Sequence, residues 1–335
     1  MDVGEIDLAG ADLAVVVGPT ASGKSDLALA LADARGGEII GADSVQVYRH
    51  FDVGSGKPPT SDRKRVRHHL VDIMDPLEPM DAASYAALAS EAVADVRRRG
   101  KLPIVCGGTF LWVRALLYGL SSAPPADPVI RRRHASLAQD EGRAALHARL
   151  VAVDPAAAAL LHANDFVRVS RALEVFELTG RPLSHLQSEH GFREPRFKAR
   201  LLGIGWTADE LVTRIAQRTE RLLAAGFVEE VTELVRLGYR DARAMSSVGY
   251  RQVLDYVEGR LSREELAPSI NRATKVFARR QRTWLREEPV DWLEKASSFE
   301  LASSRLSLSG GFAPAPTGAS PEWGPTPTGP PARDE

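Results

Sequence analysis

Apolar residues recur in this chain with two periods. Short unbroken apolar runs, such as Ala14 to Val17 and Leu102 to Cys106, read as strands buried on both faces of a sheet. Between them lie longer stretches with apolar residues every three or four positions. From Ser84 to Arg99, Tyr85, Leu88, Ala92 and Val96 share one face, basic residues close the last turn and Gly100 stops the helix. Gly36-Gly37 ends an earlier helix, and Glu38 to Gly41 reads as the second strand. The run His68 to Ile73 predicts a short central strand with Asp72 near its end. Thr109 heads a helix that carries Trp112, Leu116 and Leu117.

Strands alternating with helices predict an α/β fold with a parallel sheet. A composition change at Ser121 to Asp127 interrupts it. From Pro128 to about His190 the pattern is wholly helical, which predicts an inserted all-helical subdomain. Strand character returns at Ala199 to Trp206, and helices follow. The expected division is residues 1–120 as the first part of the core, 121–198 as the insert, 199–296 as the return to the core with C-terminal helices, and 297–335 as a tail. Seven of the 21 prolines fall between Pro314 and Pro331, a composition expected to stay disordered.

Composition adds limits. With 335 residues, 44% hydrophobic and 26% charged, the chain has the make-up of an ordinary globular protein. The acidic start MDVGEIDLAGAD is not a signal peptide, and no run reaches the length of a membrane span. The only cysteine, Cys106, excludes a disulfide framework and a cysteine-based zinc site, and a cytoplasmic setting is expected. Cys106 reads as a small buried hydrophobe. The net charge of −1 conceals local basic stripes: residues 268–286 carry Arg272, Lys275, Arg279, Arg280, Arg282 and Arg286 without an acidic residue, and Arg131 to Arg133 form a second cluster. Such stripes suit either nucleic-acid binding or a solvated helix face.

The chemistry concentrates in GPTASGKS, residues 18–25, directly after the first strand. It matches G-x-x-x-x-G-K-[ST] through Gly18, Gly23, Lys24 and Ser25, with Pro19, Thr20, Ala21 and Ser22 between. Backbone amides beside the positive end of a helix cradle a di- or triphosphate, Lys24 adds a point charge, and the Ser25 hydroxyl can ligate magnesium. The fold class is therefore a P-loop NTPase-like parallel sheet flanked by helices. After the second strand come Asp43, Ser44 and Gln46, on the sheet's carboxyl rim, where ligands bind in such folds. Asp43 there either accepts a proton or begins an Asx-type turn. Lys57, after a Gly-rich loop, is expected over the phosphates. A kinase would use Asp72 to organise magnesium and Asp43 as acceptor base, which accounts for the first 110 residues only. A non-catalytic RNA-binding protein would use the basic helices and leave Asp43 and the phosphate loop unexplained.

Taken together, GPTASGKS (18–25), ADSVQVYR (42–49), DVGSGKP (52–58), GGT (107–109), RVSRALEVFELTG (168–180), RIAQRTERLLAAGFVEEV (214–231), SSVGYRQ (246–252) and KVFARRQRTWLR (275–286) resemble one family. It is that of the bacterial tRNA dimethylallyltransferases, or tRNA isopentenyltransferases. The segments occur in the family's order and span residues 14–293. The resemblance implies transfer of a dimethylallyl group from dimethylallyl diphosphate to the exocyclic amine of the adenosine 3′ of the anticodon, in tRNAs reading codons that begin with U. It implies Asp43 as general base. Ser44 and Gln46 would hold the flipped adenine, with Val45 beside them among the tRNA-binding residues, and Lys24, Ser25, Thr109 and Arg218 would neutralise the diphosphate, directly or through Mg2+. Arg131, Arg168 and Arg171 of the insert, the turn Val248-Gly249-Tyr250-Arg251 and the basic helix would grip the anticodon stem-loop. The enzyme is expected to act as a monomer. Phe166-Val167 replaces a more polar pair of the relatives, and FLWV after GGT differs in its aromatic pattern. The zinc finger of eukaryotic members cannot form with a single cysteine.

Overall fold

The computed structural model describes residue 3 and residues 6–293. Its centre is a six-stranded sheet of β1 (Leu13–Val17), β2 (Glu38–Gly41), β3 (His68–His69), β4 (Pro103–Gly107), β5 (Ala199–Ile204) and β6 (Val290–Leu293). The strands lie in the order β3-β2-β4-β1-β5-β6, and every pairing is parallel. β1 is therefore flanked by β4 and β5, with β2 and β3 beyond β4. The order reverses beside β1, which opens a crevice at the strands' carboxyl ends.

β1 is apolar throughout because both of its faces are covered. Leu13, Val15 and Val17 join Ile40, Val105 and Leu201 against the helices Ala82–Arg98 and Phe110–Tyr118 and the C-terminal helices. Ala14 and Val16 join Ile39, Ile104 and Leu202 on the other face, against Leu27, Ala28 and Leu31 of the helix Lys24–Arg35. At the sheet's amino end Glu38 is almost fully buried, ion-paired with Arg99 and Lys101 and in hydrogen-bond contact with the His69 ring. Hydrogen bonds from Arg99 hold its carboxyl far below the usual carboxylate range.

Between β4 and β5 the insert contributes five helices, Pro128–Asp140, Arg143–Val153, Pro155–Leu160, Phe166–Thr179 and Leu183–His190. They enclose their own apolar centre of Leu146, Leu150, Ala158, Val169, Ala172 and Leu173, separate from the cores of the sheet.

The structure departs from the sequence reading in two strands. The expected central strand at 68–73 is only His68–His69, and it lies at the sheet's edge. Leu70 and Asp72 both take positive φ, 58° and 64°, which breaks the extended backbone. β6, at the opposite edge, is short and mostly exposed, so it left no hydrophobic signal. The Pro-rich tail lies outside the described residues.

Candidate active site

The loop after β1 gets its shape from two residues in the left-handed region, Ala21 at φ 65° and Gly23 at φ 85°. The helix then begins at Lys24, with the backbone amides of its first turn facing the loop. A Cβ at Gly18 would lie 2.4 Å from Ser22 Oγ, so the tight curl requires glycine there. Three side chains from distant parts of the chain hold the loop. Thr20 N–H donates to Gln281 Oε1 at 2.8 Å, Arg214 Nε donates to the Ala21 carbonyl at 2.7 Å, and Trp206 Nε1 donates to the Ser22 carbonyl at 2.8 Å. The Arg214 guanidinium also lies 4.2 Å from the centre of the Trp206 ring. Gln281 is buried, and its amide nitrogen reaches the Gly108 carbonyl at 2.9 Å. One glutamine thus joins the phosphate loop to the turn after β4.

That turn is pressed against the end of β2. Thr109 N–H donates to the Ala42 carbonyl at 3.1 Å, and a Cβ on Gly107 would come within 2.0 Å of the same oxygen. Thr109 Oγ1 accepts from Ser44 N–H at 3.0 Å and lies 3.3 Å from Ser44 Oγ. Asp43 Oδ1 accepts from the amides of Val45 at 2.9 Å and Gln46 at 3.3 Å. The turn reading of Asp43 is the one the structure carries: Oδ1 caps the turn, while Oδ2 makes no hydrogen bond to the described residues. Gln46 Nε2 donates to the carbonyls of Ser55 and Gly56, each at 3.1 Å.

Lys24 and Arg218 flank Asp43 electrostatically. Desolvation lowers the pKa of both cations, and the Asp43 carboxylate opposes that shift in each. Arg218 Nη2 donates to the Ser55 carbonyl at 3.3 Å. Two cations against one carboxylate leave positive charge beside a loop of amides, which favours a polyanion. Cys106 Sγ lies 3.6 Å from the Lys24 carbonyl, and burial pushes its thiol up to about 11, as befits a structural side chain. On the β5 side of the loop a cavity of about 320 Å³ is lined by Pro19, Trp206, Leu211, Arg282, Leu285 and Trp292.

The rim thus brings together the loop Gly18 to Ser25, Asp43, Ser44, Val45, Gln46, Thr109 and Arg218. Other expected residues lie elsewhere. Lys57 does not cover the phosphates: its buried ammonium reaches Asp52 at 2.5 Å, Asp72 at 2.7 Å and the Tyr48 carbonyl at 2.8 Å. Asp72, also bonded to Arg63, is therefore held in an ion-pair cluster instead of at a strand end. In the insert, Arg131 at 2.9 Å and Arg171 at 2.5 Å both grip the buried Glu174. Burial opposes ionisation of that carboxyl, and the hydrogen bonds from Arg131 and Arg171 overcome it and lower the pKa. Arg168 is exposed, 3.6 Å from Asp165. In the turn 248–251, Val248 and Arg251 are exposed and Gly249 has φ 95°, whereas the Tyr250 ring is enclosed in the core. Sequence reasoning missed Gln281, Trp206 and Glu230 as supports of the site. Only Gln281 carried a signal, as an uncharged side chain on the buried side of a basic helix.

These features define a phosphate-loop protein of the open parallel α/β class, with a polar rim after β2 and β4 beside the anion cradle. The family model for IPP transferase matches residues 46–288. The chain is 59% identical over 282 residues to a tRNA dimethylallyltransferase of Sorangium cellulosum, covering 84% of this chain and 90% of that protein. It is 46% identical over 294 residues to the Geobacter sulfurreducens tRNA dimethylallyltransferase, covering 87% and 94% respectively. The crystal structure of a full-length tRNA isopentenylpyrophosphate transferase from Bacillus halodurans superposes with a TM-score of 0.62 at 34% identity, covering 84% of this chain and 89% of the other. The chain belongs to the IPP transferase family. Among the described residues no helix is long and apolar enough to cross a membrane.

Proposed function

We propose that this protein transfers the dimethylallyl group of dimethylallyl diphosphate to the N6 amine of the adenosine 3′-adjacent to the anticodon, in tRNAs reading codons that start with U. The observation that carries this reading is the position of Asp43, with Oδ2 unclaimed, on the rim that the phosphate loop shares with Ser44 and Thr109. As the bond from N6 to the allylic carbon forms, the bond from that carbon to the diphosphate oxygen breaks, and the N6 proton passes to Asp43 Oδ2. The loop amides, Lys24 and Arg218 receive the charge that grows on the departing diphosphate. Thr109 positions Ser44 through its backbone amide, and Ser44, Val45 and Gln46 line the place of the adenine, which must leave the anticodon-loop stack to reach them.

Ser25, exposed on the first turn of its helix, would be the protein ligand of a magnesium ion. No group of three His, Cys, Asp or Glu side chains suited to a metal occurs among the described residues. A magnesium ion bound at Ser25 would neutralise leaving-group charge. The exposed Arg168, Val248 and Arg251 and the basic side of the helix Arg263–Leu285 face the tRNA arm, while Arg131 and Arg171 act indirectly by holding the insert together.

The test is incubation with magnesium, dimethylallyl diphosphate and an unmodified anticodon stem-loop, followed by mass spectrometry of the RNA. A gain of one dimethylallyl group on the adenosine 3′ of the anticodon is expected. Asp43→Ala should lower turnover by about 10²- to 10⁴-fold with little change in RNA affinity. No gain, together with phosphate transfer from ATP to a small acceptor, would overturn the reading. A fall in affinity alone would make Asp43 a binding residue.

A further inference from the structure

Glu230 lies away from the phosphate loop, yet its carboxylate is saturated with donors. Oε2 accepts from the amides of Asp52 at 2.9 Å and Val53 at 2.5 Å. Oε1 accepts from the Gly54 amide at 3.0 Å and from the Tyr250 hydroxyl at 2.7 Å. The same Tyr250 oxygen accepts from Ser55 N–H at 3.1 Å. Four consecutive amides, residues 52–55, are thus bound to two side chains on the helices Phe227–Arg236 and Tyr250–Val257. Packing keeps the segment flush: a Cβ on Gly54 would lie 2.0 Å from the Phe227 ring, one turn before Glu230.

The other side of this segment faces the site. The Ser55 carbonyl accepts from both Gln46 Nε2 and Arg218 Nη2, and the Gly56 carbonyl accepts from Gln46 Nε2. An Asp52–Gly56 segment that shifts therefore moves the amide expected to face the adenine and the guanidinium expected to face the diphosphate. We infer that Glu230, with the Tyr250 hydroxyl, is a positioning residue that sets Gln46 and Arg218 in register with each other by fixing residues 52–56. This inference rests on the transferase reading for the roles of Gln46 and Arg218. The requirement is for a carboxylate in particular, because all four partners are donors. An amide at this position would turn its own N–H groups toward two of them.

The experiment compares wild type, Glu230→Gln and Tyr250→Phe in the full chain. Hydrogen exchange reads the amides of residues 52–54, calorimetry reads the affinity for inorganic diphosphate, and steady-state kinetics gives kcat and KM for donor and stem-loop. In Glu230→Gln the exchange of these amides should rise at least about tenfold while the sheet strands keep their protection. Diphosphate affinity and kcat should each fall by about tenfold. Tyr250→Phe, which keeps the ring in the core, should show smaller changes of the same sign. Combining the two substitutions should add little to Glu230→Gln. Unchanged exchange at 52–54 in Glu230→Gln overturns the inference, as does faster exchange with unaltered diphosphate affinity and kcat. A uniform loss of protection across the sheet also overturns it, since Glu230 would then be serving overall stability. Exchange and diphosphate affinity are read without turnover, so a wild-type protein that transfers nothing would defeat the transferase reading and leave this one to stand or fall separately.

Discussion

Replacing Gln281 by leucine removes the one side chain that bridges the phosphate loop and the turn after β4. Leucine fits the space but cannot pair with the Thr20 amide or the Gly108 carbonyl, which the glutamine holds at 2.8 and 2.9 Å. Gln281 is 4% exposed, so water has poor access to either group. An orphaned buried donor or acceptor costs about 1–3 kcal/mol, so the pair should cost roughly 2–6 kcal/mol. At about 2 °C per kcal/mol in a chain of this size, the melting temperature should fall by about 4–12 °C. The loop would also lose a support just where its amides must point at an anion, so the KM for the isoprenoid diphosphate should rise by about tenfold. Calorimetry and donor-dependent kinetics measure the two effects. Gln281→Glu supplies a control: its ionised carboxylate still accepts from Thr20 but repels the Gly108 carbonyl, and protonation restores a donor. Its deficit should therefore narrow as pH falls through the carboxyl range. A Gln281→Leu protein that melts within about 1 °C of wild type, with an unchanged donor KM, would refute the reasoning.

Three further outcomes are expected. Glu38 has a carboxyl pKa below its unfolded value, so the stability it contributes is complete above that value, near 4.3, and is lost as pH falls toward the folded one. Glu38→Gln should therefore melt well below wild type at pH 7, and the gap should start to narrow below about pH 4 and shrink steadily as the pH falls further in a series of thermal melts. Gly107→Ala should prevent folding, because its Cβ would meet the Ala42 backbone at 2.0 Å with no room to retreat. Gly108→Ala meets only the tip of Gln281 at 2.5 Å and should yield folded protein with a lowered melting temperature, measurable in parallel by circular dichroism.

Much of the candidate site was legible in the chain because it is local. A buried strand, two glycines that permit a curl, a lysine and a serine at a helix start lie within a dozen residues, and backbone sterics alone dictate what they form. Asp43 to Gln46 and Thr109 were placeable for a similar reason: a parallel sheet puts every strand's carboxyl end on one rim. The insert was visible as a change of period. Tertiary structure alone decided the rest. Asp72 takes a positive φ among partners contributed by Lys57 and Arg63, so an apolar run that reads as a central strand stops after two residues at an edge. Arg131 and Arg171 looked free for a polyanion until the fold set Glu174 between them, and Tyr250, in the turn expected to grip the anticodon stem-loop, lies in the core with its hydroxyl on Glu230. Gln281 and Glu230 support the site from 173 to 261 residues away along the chain. Hydrogen bonds of that span leave no period in a sequence, since they depend on which surfaces packing brings together and not on which residues are neighbours.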